Sequence, residues 1–264
     1  MTDLLAHVEG IWQAVVPMLP DFTIEVLPVI DSTNSELMRR GRNTSLAPVL
    51  LVAQEQTAGR GRMGKRWHSQ TDHSLTFSMA LPLSPDNWSG LSLAVGVSLA
   101  ESLHPELQLK WPNDLWWQQR KLGGILVETV GTGAGLTTAR TVVVGVGINI
   151  TRPSDGVLTD SNLSPPHAPP AAGLTELHRD ITPGSALALL APALVRDMLR
   201  FEAHGFAAFV QSFAQRDALH GLPLQLSDNT TGTGAGVDDL GRLLLQTPQG
   251  LRPVTSSEVS VRLC

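Results

Sequence analysis

Cysteine is almost absent: Cys264, the last residue, is the only one. No disulfide framework and no cysteine-ligated metal centre can form within one chain, which suits a reducing compartment, and the expected location is the cytoplasm. No secretory leader is expected either. Met1 to Gly10 contain Asp3 and Glu9 and no basic stretch. No apolar run is long enough to cross a bilayer, so no membrane partner is expected. An excess of positive charge is lacking as well: the formal net charge is −5, which argues against nucleic acid as a partner. The eight histidines are scattered, none paired at metal-ligand spacing, and no protein metal site is expected. What is present is ordinary for a soluble globular chain. Hydrophobic residues make up 42% and charged residues 16% of 264 residues, a length that suits one large domain with a small companion.

Periodicity divides the chain into a mixed part and an all-β tail. Leu4, Leu5, Val8, Ile11, Trp12, Val15 and Leu19 recur at helical spacing and predict an opening amphipathic helix. Thr23 to Leu27 reads as a strand. Thr33 with Glu36 reads as a capping box that starts a second helix, with Gly41 as its C′ residue. Val49 to Gln54 and a half-buried Leu75 to Leu81 read as strands. Leu91 to Leu103 reads as a helix. Strands are then expected over Leu107 to Trp111, Asp114 to Trp117, Ile125 to Val130 and Thr141 to Ile150. Thr151 to Gly173, with five prolines, reads as a long loop. Thr182-Pro183 marks a helix start, and Pro192 should kink or divide the helix that runs towards His204. Gly205 ends it, and Phe206 to Ala214 forms a shorter one. From Gly221 onward, short apolar runs (Leu222 to Leu226, Leu243 to Leu245, Val259 to Leu263) alternate with turn clusters, as in a small β-barrel or sandwich. The expected division is 1–219 and 220–264.

One loop concentrates charge. Arg60, Arg62, Lys65 and Arg66 lie within seven residues of an otherwise acidic chain. Gly59 to Gly64 spells G-x-G-x-x-G, but the setting is wrong for a dinucleotide fingerprint. The predicted strand ends five positions earlier, no apolar helix follows, and no carboxylate near Ser84 could hold a ribose. The loop does offer glycine N–H groups and guanidinium forks suited to phosphate or carboxylate oxygens. Trp67 is either a flat surface for a purine or a core residue. Four cations without an anion repel, and glycines order poorly, so the loop should be mobile when empty.

The run Gly59 to Trp67 resembles the glycine–arginine loop of bacterial biotin–protein ligases. So do Asp31-Ser32-Thr33-Asn34, Lys110-Trp111-Pro112-Asn113-Asp114, Lys121-Leu122-Gly123-Gly124-Ile125-Leu126-Val127-Glu128 and Gly145-Val146-Gly147-Ile148-Asn149, in the family's order and spacing. The tail, with Gly236-Val237-Asp238 and Gly241, resembles the family's C-terminal domain. The resemblance implies an α+β fold: a mixed, largely antiparallel sheet packed with helices, class II synthetase-like, followed by a small SH3-like β-barrel. It implies an ATP-dependent biotin–[acetyl-CoA-carboxylase] ligase. That enzyme makes biotinyl-5′-AMP and pyrophosphate, then transfers biotin to a lysine of a biotin carboxyl carrier protein or domain. Mg²⁺ would accompany ATP, and a homodimer is left open. Lys65 stands where the family often has arginine, and no helix-turn-helix precedes the catalytic part, so the repressor form is not implied.

The resemblance also distributes roles. Lys110 and Arg62 would be catalytic. Ser32, Thr33, Asn34, Gln56, Arg60, Gly61, Arg62, Lys110, Gly123 and Gly124 would bind biotin. Arg62, Trp67, Asn113, Lys121 and Asn149 would bind ATP, with Asp114 a carboxylate neighbour. Several of these have plainer explanations: Thr33 as a helix cap, Lys110 as a strand-end lysine with a solvated head, Gly123 and Gly124 as a bulge or turn, and Asn149 as a turn residue. Two other functions compete. Lipoate–protein ligases and octanoyltransferases share the fold but lack the Arg60/Arg62 loop with Trp67. A non-catalytic biotin sensor or DNA-binding regulator fits poorly with the acidic balance and with the intact lysine.

Overall fold

The computed structural model describes residues 2–43, 46–130, 140–153, 170–255 and 261–263. Most of the proline-rich loop expected over Thr151 to Gly173, and Cys264, lie outside these residues. Among the described residues, seven strands form one sheet: β1 (Thr23–Ile30), β2 (Val49–Gln56), β3 (Ser74–Leu83), β4 (Gln108–Lys110), β5 (Asp114–Trp117), β6 (Arg120–Val130) and β7 (Arg140–Asn149). Their order is β1-β2-β3-β7-β6-β5-β4. Only β1 and β2 run parallel, joined by helix α2 (Thr33–Asn43) as a crossover.

The two faces of this sheet are covered unequally. Leu75, Phe77, Met79 and Leu81 of β3, with Val142, Val144, Val146 and Ile148 of β7, belong to the large core. That core also holds residues of α1 (Thr2–Val15), α3 (Leu91–Leu103) and α4 (Pro183–His204). On the other face a small cluster of Leu37, Val49, Leu51, Ala80, Val130 and Val143 seats α2. β3 is therefore buried on both faces apart from Pro82, not half-buried as its alternation suggests. Thr76, Ser78 and Ala80 face the side α2 partly covers, and their small side chains leave space there.

Four local expectations change. Ser32, not Thr33, caps α2: its carbonyl accepts from Glu36 N at 3.0 Å and its hydroxyl from Ser35 N at 3.3 Å. Glu36 binds Arg39 and Arg40 instead of closing a capping box. The helix runs through Gly41, where a side chain would press on Val130. Pro192 does not divide α4, which is one uninterrupted helix with Leu187, Leu190, Leu194, Met198 and Phe201 buried along it. Packing over that length outweighs one missing hydrogen bond. The cap at Thr182 is as expected, and Asp3 of α1 reinforces it by accepting from Gly184 N at 2.7 Å. Phe206 to Ala214 splits into a 3₁₀ turn, Phe206–Phe209, and a short helix α5, Val210–Ala214.

The tail forms an antiparallel sheet in the order β11-β10-β9-β8-β12, with β8 (Pro223–Leu226), β9 (Thr231–Val237), β10 (Leu243–Thr247), β11 (Gly250–Val254) and β12 (Val261–Leu263). The glycine-rich β9 and β11, which holds Gly250, Arg252 and Pro253 among five residues, carry too little apolar alternation to be read from sequence. The main core continues into this sheet through Leu219, Leu224, Leu243 and Leu245. At the junction, Leu109 N donates to Arg216 O (2.8 Å), Ala218 N to Leu109 O (3.0 Å) and Trp111 Nε1 to Gly241 O (3.0 Å). Edge strand β4 is thereby held from both sides. No helix among the described residues is long and apolar enough to cross a membrane.

Candidate functional site

The face that α2 leaves uncovered is hollow because of what β6 and β7 omit. Successive strand residues point to opposite faces, so Gly124 pairs with Gly147, Leu126 with Gly145 and Glu128 with Val143, all on the α2 side. A side chain at Gly145 would collide with the Asn34 amide, and one at Gly147 with the Trp67 indole. Asn34 and Trp67 thus sit directly on the sheet. Between them opens a cleft of about 180 Å³.

One end of the cleft is neutral and polar. Gln56 Oε1 accepts from Thr33 N (2.8 Å) and Thr33 Oγ1 (3.1 Å), which leaves its two Nε2 hydrogens for a ligand. Ser78 Oγ, fully buried beneath, lies 2.7 Å from Thr33 Oγ1 and 2.6 Å from Asn34 Oδ1. Before α2, Asp31 accepts from Ser32 N and pairs with Arg39, whose guanidinium holds the Asp31 carboxyl below its usual range.

The other end is cationic. Lys121 Nζ stands 2.7 Å from Asp114 Oδ1, its chain passing over Gly124. Asn113 Nδ2 donates to Ile125 O at 2.9 Å, locking the β4–β5 turn to β6. Arg62 lines the same end; burial lowers its pKa, with Asp114 acting in the opposite sense. A charged group that has lost hydration interacts strongly with an anion.

The glycine–arginine loop roofs the cleft as a miniature hairpin. Trp67 N donates to Gly59 O (2.9 Å) and Gly61 N to Lys65 O (2.7 Å). Its tip turns through left-handed Met63 and Gly64. Only a single 3₁₀ turn, Arg62–Gly64, follows where a dinucleotide fold needs a helix, although β2 extends two residues further than expected, to Gln56.

Of the residues singled out from sequence, Ser32, Thr33, Asn34, Gln56, Arg60, Gly61, Arg62, Trp67, Asn113, Lys121 and Gly124 line this cleft. Lys110, Gly123 and Asn149 do not. Lys110 lies on β4, and β5 stands between it and β6; its ammonium sits 4.5 Å from the Trp116 ring centre. Gly123 is one residue from Gly124 and so faces the other side, where it permits close approach of Gly147 O. Asn149 braces the chain behind Lys121, its amide donating to Ala172 O at 3.1 Å. Reading motifs one at a time missed Gly145 and Gly147 as the floor of the cleft and Glu128 as an anchor. Two glycines on one face of a valine-rich strand are the signal for the first. Glu128 carries no local signal, because its partners are remote in sequence.

Comparison with known proteins agrees with this geometry. Residues 26–149 match the Biotin/lipoate A/B protein ligase family and residues 223–262 the Biotin protein ligase C terminal domain. The chain is 33% identical over 252 residues to the bifunctional ligase/repressor BirA of Escherichia coli K12, covering 91% of this chain and 74% of that protein. It is 31% identical over 242 residues to the biotin–[acetyl-CoA-carboxylase] ligase of Paracoccus denitrificans, covering 87% and 96%. The biotin protein ligase of Aquifex aeolicus, solved in complex with biotin and ATP, superposes with a TM-score of 0.73 at 27% identity, covering 92% of this chain and 99% of that one. Fold, cleft and sequence converge: the chain belongs to the biotin protein ligase family.

Proposed function

We propose that the neutral end of the cleft takes the ring system of biotin and the cationic end takes its carboxylate together with the α-phosphate of ATP. The carrying observation is this polarity within one cleft: amide and hydroxyl groups at Thr33 and Gln56, a desolvated guanidinium at Arg62 and the half-buried Lys121 ammonium beside Asp114. A ureido ring needs a few placed hydrogen bonds among apolar walls. A carboxylate approaching a phosphate needs positive charge already in place.

The enzyme is an ATP-dependent biotin–[acetyl-CoA-carboxylase] ligase. In the first step a biotin carboxylate oxygen attacks the α-phosphorus, and pyrophosphate leaves. In the second, a lysine amine of a biotin carboxyl carrier domain attacks the acyl carbon; the amine loses a proton and AMP leaves. Lys121, not Lys110, is placed to offset charge in both steps. Its ammonium faces the cleft and is held by Asp114 until an anion arrives. ATP enters as its magnesium complex. Asp114 is the one carboxylate lining the cleft among the described residues, which fits an ion held chiefly by phosphates and water; Asp114 would be its protein neighbour, and the ion would supply neutralisation of phosphate charge. The single cysteine supports action in the cytoplasm. The division of labour near residue 219 follows the two sheets, the first carrying the cleft and the second bracing its β4–β5 turn.

The test is pyrophosphate release. Biotin with magnesium-ATP should give it, and lipoate or octanoate should neither replace nor inhibit biotin at equal concentration. Release driven by lipoate, or none with biotin, overturns the assignment.

A further inference from the structure

Glu128 lies beyond the cleft lining, yet it meets both sides of the site. Its Oε1 accepts from Arg60 Nη2 at 2.8 Å, and its Oε2 accepts from Arg60 Nη1 at 3.3 Å and from Asn34 Nδ2 at 3.0 Å. Arg60 also donates to Ser35 Oγ at the start of α2 (3.3 Å). Arg60 stands at the base of the roofing hairpin, bridged to Arg66, two residues before Arg62. Asn34 is fully engaged by protein groups. Its amide hydrogens serve Leu126 O and Glu128, and its oxygen lies against Ser78 Oγ. It has no donor left for a ligand, so it acts as support, and Glu128 aims it.

We propose that Glu128 is a positioning residue that ties closure of the glycine–arginine hairpin to the shape of the biotin end. This rests on reading the cleft as the biotin ligation site. One carboxylate fixes the Asn34 amide over Gly145 and anchors the hairpin base through Arg60. When the anchor is lost, the hairpin carrying Arg62 swings more freely while Asn34 loses its aim. Weaker biotin capture and poorer retention of the acyl-adenylate then arise together.

The pair is partly solvated, Arg60 at 46% and Glu128 at 22% side-chain exposure, and such pairs add little to global stability. Glu128→Gln keeps the shape of the side chain but loses the charge that holds Arg60 and leaves a single oxygen to serve both Arg60 and Asn34, so the variant should fold; a thermal melt checks this. In the full chain, expected effects are a rise of about fivefold in KM for biotin with kcat for pyrophosphate release changed less than about twofold. Tryptic cleavage after Arg62 and Lys65 should quicken by a similar factor, and unrelated proteins in the same tube should acquire biotin. Glu128→Asp keeps the charge but draws the carboxyl back by one methylene from both Arg60 and Asn34, so it should give a weaker form of the same pattern; if Glu128→Gln does not fold, Glu128→Asp carries the test. An unchanged KM, or a raised KM without faster cleavage, overturns the proposal. Absence of biotin-dependent pyrophosphate release in the parent chain overturns the reading of the cleft instead.

Discussion

Two lysines, eleven positions apart, present the same chemistry on paper, and only the strand order separates them. Lys110 is on the outermost strand, over the Trp116 ring; Lys121 is at the head of β6, over Gly124 and against Asp114. Loss of one preorganised charge from a reaction joining two anions typically costs about 10²–10³ in rate. Lys121→Gln should therefore slow single-turnover biotinyl-adenylate formation by that factor, while Lys110→Gln should change it by less than about fivefold. Equal losses would return Lys110 to the reacting atoms. The sequence made the residue types legible, since charge, amide and glycine content point to an anion beside a neutral polar ligand. It could not rank residues whose difference is which strand intervenes. Thr33 shows the same limit: its hydroxyl is spoken for by Gln56 and Ser78, 23 and 45 positions away, so the cap falls one residue earlier.

Among the elements, β7 is where pattern and function meet most directly. Val142, Val144, Val146 and Ile148 build the core face, and Gly145 and Gly147 leave the other face bare. The strand was readable; the meaning of its glycines was not, because it depends on Asn34 and Trp67 arriving from elsewhere. A methyl group at Gly147 would meet the indole edge of Trp67, and rigid neighbours transmit such a conflict. Gly147→Ala should cost about 1–3 kcal/mol of stability and raise KM for biotin, whereas Gly10→Ala, with open space around it on α1, should be silent or mildly stabilising in a thermal melt. Equal melting points for parent and Gly147→Ala would mean that Trp67 is not seated as described. α4 teaches the converse: Pro192 is a clear local signal that long-range packing overrides.

For the whole molecule, charge and the joint between the two sheets matter most. The net charge is −5, and several exposed arginines are already paired, Arg39 with Asp31 and Glu36 and Arg40 with Glu25. The chain should show no DNA affinity of the kind that falls steeply with salt; anisotropy with short duplexes, with and without biotin and ATP, checks this, and micromolar salt-sensitive binding contradicts it. At the joint, Asp217 accepts from Leu219 N at 2.9 Å, while its Oδ2 is buried with no hydrogen-bond partner. Burial raises its pKa above the unfolded value. The folded state therefore prefers the protonated acid, and ionisation destabilises it as pH rises through the folded pKa. Asp217→Asn should raise Tm at pH 7.5, with the gain shrinking as pH falls towards about 4. A gain independent of pH would assign the effect to packing rather than charge.

The hydrogen bond from Trp111 to Gly241 spans 130 positions, and it gives the site a place in time as well as in space. A ribosome delivers the Pro112 to Asp114 turn early and its brace late. At about 5–20 residues per second the interval is on the order of ten seconds. During it β4 lacks its outer brace, and the turn is tied to β6 through Asn113 and Ile125 without support from the tail. Lys121 and Asp114 are thus in the chain well before the tail that braces their turn, so a chain cut short of the second sheet should loosen first at the cationic end of the cleft.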